Sequence, residues 1–126
     1  MIDKTTTLPE AVKLVRDGHV LGLGGMTIYR RPVKFVRELI GLASPPSDLT
    51  LFAFTCGLAS DMLVGAGLAS RSRCCYFGLE SFGLAPMFTA AVSAGTLSVI
   101  EESEASIASG LRAQMAGVGF MPSRAW

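Results

Sequence analysis

The stretch VLGLGGMT at residues 20–27 is an apolar run that ends in glycines, and RRP follows at residues 30–32. Pro32 suits the first turn of a helix, so the segment predicts a strand, a glycine turn (residues 22–27) and a helix. Such a junction leaves backbone N–H groups free at the positive end of a helix, where anions and developing oxyanions bind. We predict that it binds substrate through six residues: Gly24, Gly25, Met26, Thr27, Arg30 and Arg31.

Simpler interpretations of this segment stay open. The glycines can serve a tight strand–helix connection without a ligand, because glycine adopts backbone angles closed to other residues. The two arginines can be solvated surface residues or salt-bridge partners. Two nucleotide-binding motifs are excluded: Gly22-x-Gly24 is followed by Thr27 where a dinucleotide fingerprint needs glycine, and no G-K-[S/T] sequence occurs.

Length and composition narrow the class of protein. The 126 residues suffice for a core, and we expect a single domain over residues 1–126. The chain is 50% hydrophobic with a mean hydropathy of +0.47, which favours elements buried on two sides or a surface covered by a partner. A net charge of +1 gives no basis for binding nucleic acid. Apolar runs break before the roughly 20 residues of a membrane span, and no signal peptide is evident, so we expect a cytoplasmic protein.

The cysteines indicate neither a metal site nor a catalytic pair. Cys56, Cys74 and Cys75 form no C-x-x-C pair, so we predict reduced thiols and no metal. Cys56 follows a predicted strand and is a candidate nucleophile. The one histidine, His19, precedes the first strand and lies at the opposite end of the sheet, so we expect Cys56 to be a core or rim residue.

Apolar runs alternate with segments of helical periodicity. Strands are predicted at 20–24, 49–54, 73–77 and 97–100, and helices at 8–17, 32–40, 60–68, 86–94 and 104–115. Thr7 and Glu10 have the spacing of a capping box, and Gly18 suits the end of the first helix. Consecutively apolar strands separated by helices indicate an α/β fold: an open, mainly parallel sheet with helices on both faces, in three α/β/α layers.

Parallel strands bring their carboxyl ends to one rim of a sheet, where ligands bind. The glycine turn and residues 55–57, 78–80 and 101–104 all follow predicted strands. Glu104 opens the last helix and is our candidate catalytic base or nucleophile, and Glu80 is similarly placed. Glutamates at the start of a helix also favour its dipole, so a purely structural role stays open.

Four stretches resemble the alpha subunits of family I CoA-transferases, above all those of the glutaconate CoA-transferase branch. They are DGHV (17–20) running into GGM (24–26), RPV (31–33) with FVREL (35–39), YFGLESFGLAP (76–86), and E-x-E-x-S (102–106) leading to GLRA (110–113) and GFMP (119–122). Together they span nearly the whole chain, and their order is more specific than any one of them.

This resemblance implies an open α/β/α sheet and an obligate pair with a beta subunit that carries the covalent glutamate. It implies ping-pong transfer of coenzyme A between carboxylic acids, with a CoA thioester as substrate and no permanently bound cofactor. The segment Gly24-Gly25-Met26 would line the shared site and offer N–H groups to the thioester oxygen. In relatives that hydrolyse or open rings of steroid-derived acyl-CoA compounds, a glutamate of the alpha chain is implicated, and Glu104 matches its position.

The family's alpha subunits are roughly twice as long as this chain. We therefore expect the N-terminal half of such an alpha chain, truncated or naturally split, whose open edge or apolar face is covered in an oligomer. Three functions stay open. The chain can belong to a CoA-transferase, to a CoA-thioester hydrolase or ring-opening enzyme with Glu104 as base, or to a subunit that only binds a partner or a CoA-like ligand.

Overall fold

The structure is a computed structural model that describes residues 3–123; residues 1, 2 and 124–126 of the predicted domain lie outside it. Its strands are β1 (Val20–Gly22), β2 (Leu49–Cys56), β3 (Ala69–Phe77) and β4 (Ser98–Glu101). Each neighbouring pair is parallel, and the strands lie in the order β1-β2-β3-β4. The predicted open parallel sheet is confirmed, and the carboxyl ends of its strands share one rim.

Four helices cover one face of this sheet. They are α1 (Leu8–Val12), α2 (Val33–Ile40), α3 (Leu58–Gly65) and α4 (Pro86–Ser93). Each contacts the next, so that α1 packs on α2, α2 on α3 and α3 on α4. Their buried side chains share one hydrophobic core with those of β2. The largest fully buried side chains of this core are Leu39, Leu49, Leu51, Leu63, Val12 and Val36. Burial of this apolar surface is the main force that holds the layers together.

The last helix, α5 (Glu104–Ala116), begins on the other face. Arg73 pairs with Phe52, the neighbour of core residue Leu51, so the Arg73 side chain points away from the first four helices. Its Nε donates to Glu102 Oε1 at 2.5 Å, which places the start of α5 beside it. Ile107 of α5 is only 3% exposed and lies outside the main core. Helices therefore flank both faces, as predicted.

Helix α1 is shorter than its sequence pattern predicts. It ends at Val12 and not near Gly18, because the N–H of Val15 donates to the carbonyl three residues back, which tightens and closes the last turn. The predicted pairing of Thr7 with Glu10 is present. The Glu10 carboxylate accepts from the Thr7 N–H at 3.1 Å and from its hydroxyl at 2.7 Å.

Three further elements have boundaries that differ from the prediction. β3 begins at Ala69 and not at Arg73. Its first residues are mostly polar, so no apolar run indicated a strand there. β1 ends at Gly22, which leaves residues 23–27 to the turn. α3 begins at Leu58, two residues before the predicted start at residue 60, and Gly57 is its N-cap. α3 also ends at Gly65, three residues before the predicted end at residue 68, and all other ends lie within two residues of the prediction.

Candidate functional site

The chain reverses direction directly after Gly25. The Met26 N–H donates to the Tyr29 carbonyl at 3.0 Å, and the Tyr29 N–H donates back to the Met26 carbonyl at 2.7 Å. Gly25 itself has a φ of +93°, and a Cβ there would lie 2.6 Å from the Arg30 carbonyl oxygen. Both the backbone angle and the close contact require glycine at this position.

Thr27, at the tip of this reversal, is buried in a strained conformation. It is 1% exposed and has a φ of +43°, an angle that β-branched residues seldom adopt. Its N–H donates to Thr55 Oγ1 at 3.2 Å, and its backbone contacts Gly57 so closely that a Cβ on Gly57 would overlap it. Among the described residues its hydroxyl has no hydrogen-bond partner. Strain that the surrounding structure maintains in this way concentrates at functional sites.

Arg31 supports the turn from inside. Its side chain is buried, its Nε donates to the Thr27 carbonyl at 2.9 Å, and its Nη1 donates to the Leu23 and Gly24 carbonyls at 3.1 Å each. Its Nη2 donates to the carbonyl and hydroxyl oxygens of Thr55. Every guanidinium nitrogen of Arg31 therefore binds protein oxygen, and the side chain supports the turn.

Arg30 differs from its neighbour in exposure and in backbone conformation. It is exposed, has a φ of +51°, and takes part in neither of the ion pairs found between residues 3 and 123. Its guanidinium is therefore available to a phosphate or carboxylate near the turn. Of the two predicted arginines, Arg30 alone presents its charge to solvent.

Two amide groups of the turn are free to bind a ligand. Within the described part of the chain, the N–H groups of Gly24 and Gly25 have no protein acceptor, and both residues are exposed. Consecutive free N–H groups form a concavity that binds anions. The Met26 N–H is occupied by Tyr29, so Met26 offers the site only its side chain, which is 53% exposed.

The glutamates at the end of β4 have separate roles. Glu102 is nearly buried and accepts hydrogen bonds from Ser106 and Arg73. The hydrogen bond from Ser106, aided by Arg73, lowers the pKa of Glu102 despite the opposing effect of burial. Glu104 is exposed at the first position of α5 and joins neither ion pair of residues 3–123. Glu80 is also exposed, in a 3₁₀ turn at residues 80–82.

The sheet order separates Glu104 from the glycine turn. β1 and β4 are the two edge strands, so three strand spacings, about 14 Å in total, lie between them. Both features follow the carboxyl ends of their strands, so they stand at the same rim but at opposite edges of the sheet. The candidate site is therefore the glycine turn with Met26 and Arg30, and Glu104 stands apart from it.

Comparison with known proteins identifies the family of this chain. The family model described as Coenzyme A transferase matches residues 5–125. The chain belongs to the coenzyme A transferase family.

Known relatives of this transferase-family chain include the cholesterol ring-cleaving hydrolase IpdA subunits. The one from Rhodococcus jostii RHA1 is 35% identical over 98% of this chain, and the one from Mycobacterium tuberculosis H37Rv is 33% identical over 99%. The alignments cover 41% and 42% of those proteins, so the chain spans about two fifths of their length.

Two solved structures share the fold. Glutaconate coenzyme A-transferase from Acidaminococcus fermentans superposes with a TM-score of 0.82 at 30% identity, over 95% of this chain and 38% of that one. A variant of the decarboxylase AibA/AibB superposes with a TM-score of 0.85 at 30% identity, over 94% of this chain and 45% of that one. The predicted resemblance and fold class are confirmed.

Cys56 of this transferase-family chain has the environment of a core residue. It is fully buried at the end of β2, and Cys74 beside it, together with burial, raises the pKa of its thiol. His19 precedes β1 and so stands at the opposite end of the sheet. A neutral, buried thiol without a base is a poor nucleophile, which agrees with the core or rim role predicted for Cys56.

Asp61 has a structural role that was not predicted from the sequence. This carboxylate is 5% exposed and accepts hydrogen bonds from the backbone N–H groups of Phe88 at 2.8 Å and Met87 at 3.4 Å. It therefore caps the start of α4 from the neighbouring helix α3. A single charged residue in the otherwise apolar segment LASDMLVG was the signal that could have revealed it.

Between residues 3 and 123, no three His, Cys, Asp or Glu side chains group in a way that would hold a metal ion. None of the helices in that range has the length and apolar character needed to cross a membrane.

Proposed function

We propose that this chain forms one side of a site for coenzyme A thioesters and that a beta subunit forms the other side. The assembly transfers CoA between a thioester and a small carboxylic acid, and the covalent glutamate lies on the beta subunit. The observation that supports this proposal is the pair of exposed N–H groups at Gly24 and Gly25, which have no acceptor among residues 3–123 and lie on a turn held by a buried arginine.

The chemistry follows from where charge develops. When a carboxylate attacks a thioester, the carbonyl oxygen becomes negatively charged, and fixed N–H donors stabilise that charge. Removing one such donor lowers kcat by about 100- to 1,000-fold in well-studied enzymes. The turn contains no carboxylate of its own, and the candidate carboxylate of this chain, Glu104, stands at the other edge of the sheet. A nucleophile supplied by a partner chain accounts for that arrangement.

The test combines the chain with candidate beta subunits and follows the exchange of CoA between an acyl-CoA and a second free acid by mass spectrometry. Gly24→Val should abolish exchange, since its side chain would stand beside the free N–H groups. Gly22→Val is the matched control, because an added Cβ meets no atom within 4 Å at either glycine. Exchange that survives in Gly24→Val, or the absence of both exchange and complex formation with every partner, would contradict the proposal.

The second candidate function is that of a CoA-thioester hydrolase or ring-opening enzyme, and the sequence identity of 33–35% to the ring-cleaving hydrolase subunits favours it. In this reaction Glu104 acts as the base that activates water. Its separation from the turn, about 14 Å across the sheet, suits a reaction on a long acyl group whose thioester is held at Gly24 and Gly25.

Heavy-oxygen water distinguishes the two candidates. Hydrolytic ring opening adds labelled oxygen to a product that keeps its CoA, whereas transfer moves CoA to another acid without consuming water. Glu104→Gln should lower ring opening by orders of magnitude, and Glu101→Gln, at an exposed neighbouring position, is the control. Full activity in Glu104→Gln would remove this glutamate from the mechanism.

A further inference from the structure

Within residues 3–123, the buried Arg31 guanidinium has no counter-ion. Both ion pairs found within residues 3–123 involve other arginines, Arg71 and Arg73. Its partners belong instead to the glycine turn and the end of β2: the carbonyl oxygens of Leu23, Gly24, Thr27 and Thr55 and the hydroxyl of Thr55. Burying a charge is costly unless such dipoles surround it, so these carbonyls must point inward for the fold to tolerate Arg31.

The direction of these carbonyls fixes the direction of the free N–H groups. In a planar trans peptide, the C=O of one residue and the N–H of the next point in opposite directions. The Leu23 carbonyl faces Arg31, so the Gly24 N–H points away from it. The Gly24 carbonyl also faces Arg31, so the Gly25 N–H points away as well. Holding two consecutive carbonyls at one nitrogen thus turns two consecutive N–H groups outward.

The charge of Arg31 also strengthens these donors. A hydrogen bond from a cation to a carbonyl polarises the peptide unit, and the N–H on its far side becomes a better donor. The positive charge therefore acts on a bound oxyanion through two peptide groups without contacting it. Arg30, which is exposed, has no such contact with the turn carbonyls among the described residues.

We infer that Arg31 is a positioning residue for the thioester site: by binding the Leu23 and Gly24 carbonyls it directs the Gly24 and Gly25 N–H groups at the oxygen of the substrate. This inference rests on the proposed function. Arg31 touches neither the substrate nor the reacting atoms, and its effect passes through the backbone that it holds.

The test uses the full chain assembled with its beta partner and compares Arg31→Lys and Arg31→Met with Arg37→Met, an exposed arginine of α2. Arg31→Lys keeps the charge but loses the planar fork that reaches several carbonyls at once. We expect kcat per folded enzyme to fall about 10- to 100-fold while the KM for acyl-CoA changes little. The kcat of Arg31→Met should fall further than that of Arg31→Lys, and the kcat of Arg37→Met should equal that of wild type.

A second measurement reports on the amides themselves. In the isotopically labelled full chain, acetyl-CoA should shift the NMR signals of the Gly24 and Gly25 N–H groups, and Arg31→Lys should abolish that shift. Where the Arg31 variants fail to fold, Thr55→Val removes one acceptor of the guanidinium and should lower kcat several-fold.

The outcomes separate the inference from the proposed function. If wild type transfers CoA but Arg31→Lys and Thr55→Val keep its kcat, the positioning role is wrong and the function stands. If wild type has no activity while the two amide signals still depend on Arg31, the function is wrong and the backbone role stands. Amide signals that are the same in wild type and Arg31→Lys would overturn the inference directly.

Discussion

Alanine substitution should destabilise the fold at Gly25 but not at the neighbouring Gly24. At Gly25 an alanine must adopt a φ of +93°, which costs an L residue roughly 1–2 kcal/mol. Its methyl group would also lie 2.6 Å from the Arg30 carbonyl and 2.7 Å from that of Tyr29, and the required backbone shift costs about 1–3 kcal/mol more. The expected destabilisation by Gly25→Ala is therefore about 2–5 kcal/mol, out of the roughly 5–15 kcal/mol of a whole domain.

At Gly24 an alanine meets no atom within 4 Å and no positive φ. Gly24→Ala should leave stability unchanged or raise it by up to about 1 kcal/mol, because alanine restricts the unfolded chain. Urea unfolding followed by circular dichroism measures both variants. Equal midpoints for Gly24→Ala and Gly25→Ala would refute the description of the turn. The contrast also shows why Gly25 is an unsuitable probe of ligand approach: any side chain there disturbs the turn itself.

Three other predictions test the surrounding structure. Asp61→Ala removes the acceptor for two backbone N–H groups at the start of α4 and should cost about 1–2 kcal/mol in urea unfolding, whereas Glu38→Ala, exposed on α2, should cost little. Folding lowers the pKa of Glu102, so its stabilising effect is complete above the unfolded pKa of about 4.5 and is lost as the pH falls through the folded pKa. The Tm of Glu102→Gln should therefore fall less than that of wild type when the pH is lowered below about 4.5. Iodoacetamide should label Cys75, which is partly exposed, before the two buried cysteines, and mass spectrometry would show equal labelling of all three if the core packing were wrong.

The sequence predicted the order of elements and the parallel sheet because both depend on the pattern of apolar residues. Consecutive apolar positions in β2 and the periodic ones in α2 report burial directly. The start of β3 escaped detection for the same reason. Its Arg71 lies on the second face of the sheet, where Nε donates to Thr50 Oγ1 at 3.0 Å and the apolar pattern is absent. A strand stabilised by polar contacts on one face carries little hydrophobic signal.

The site was harder to predict because identical residue types have opposite environments. Arg30 and Arg31 are neighbours in the sequence, yet one faces solvent and the other binds the carbonyls of the turn. Their difference depends on the φ of +51° at Arg30, which turns the chain just before α2. Such an angle arises from tertiary contacts, so spacing alone does not reveal it. The glycines could be recognised, since Gly25 needs its conformation whatever surrounds it.

The separation of Glu104 from the glycine turn links substrate size to mechanism. The edge strands that precede them lie about 14 Å apart across the sheet, so we expect an acyl group of two or three carbons held at Gly24 and Gly25 not to reach Glu104. Small acids would then depend on the turn and on a glutamate of the partner, and Glu104→Gln would leave their transfer unchanged. A long, rigid acyl group would span the rim and come within reach of the carboxylate. The effect of Glu104→Gln should therefore appear only above a threshold of acyl length, and a uniform loss across short and long substrates would mean that Glu104 acts through the fold and not on the substrate.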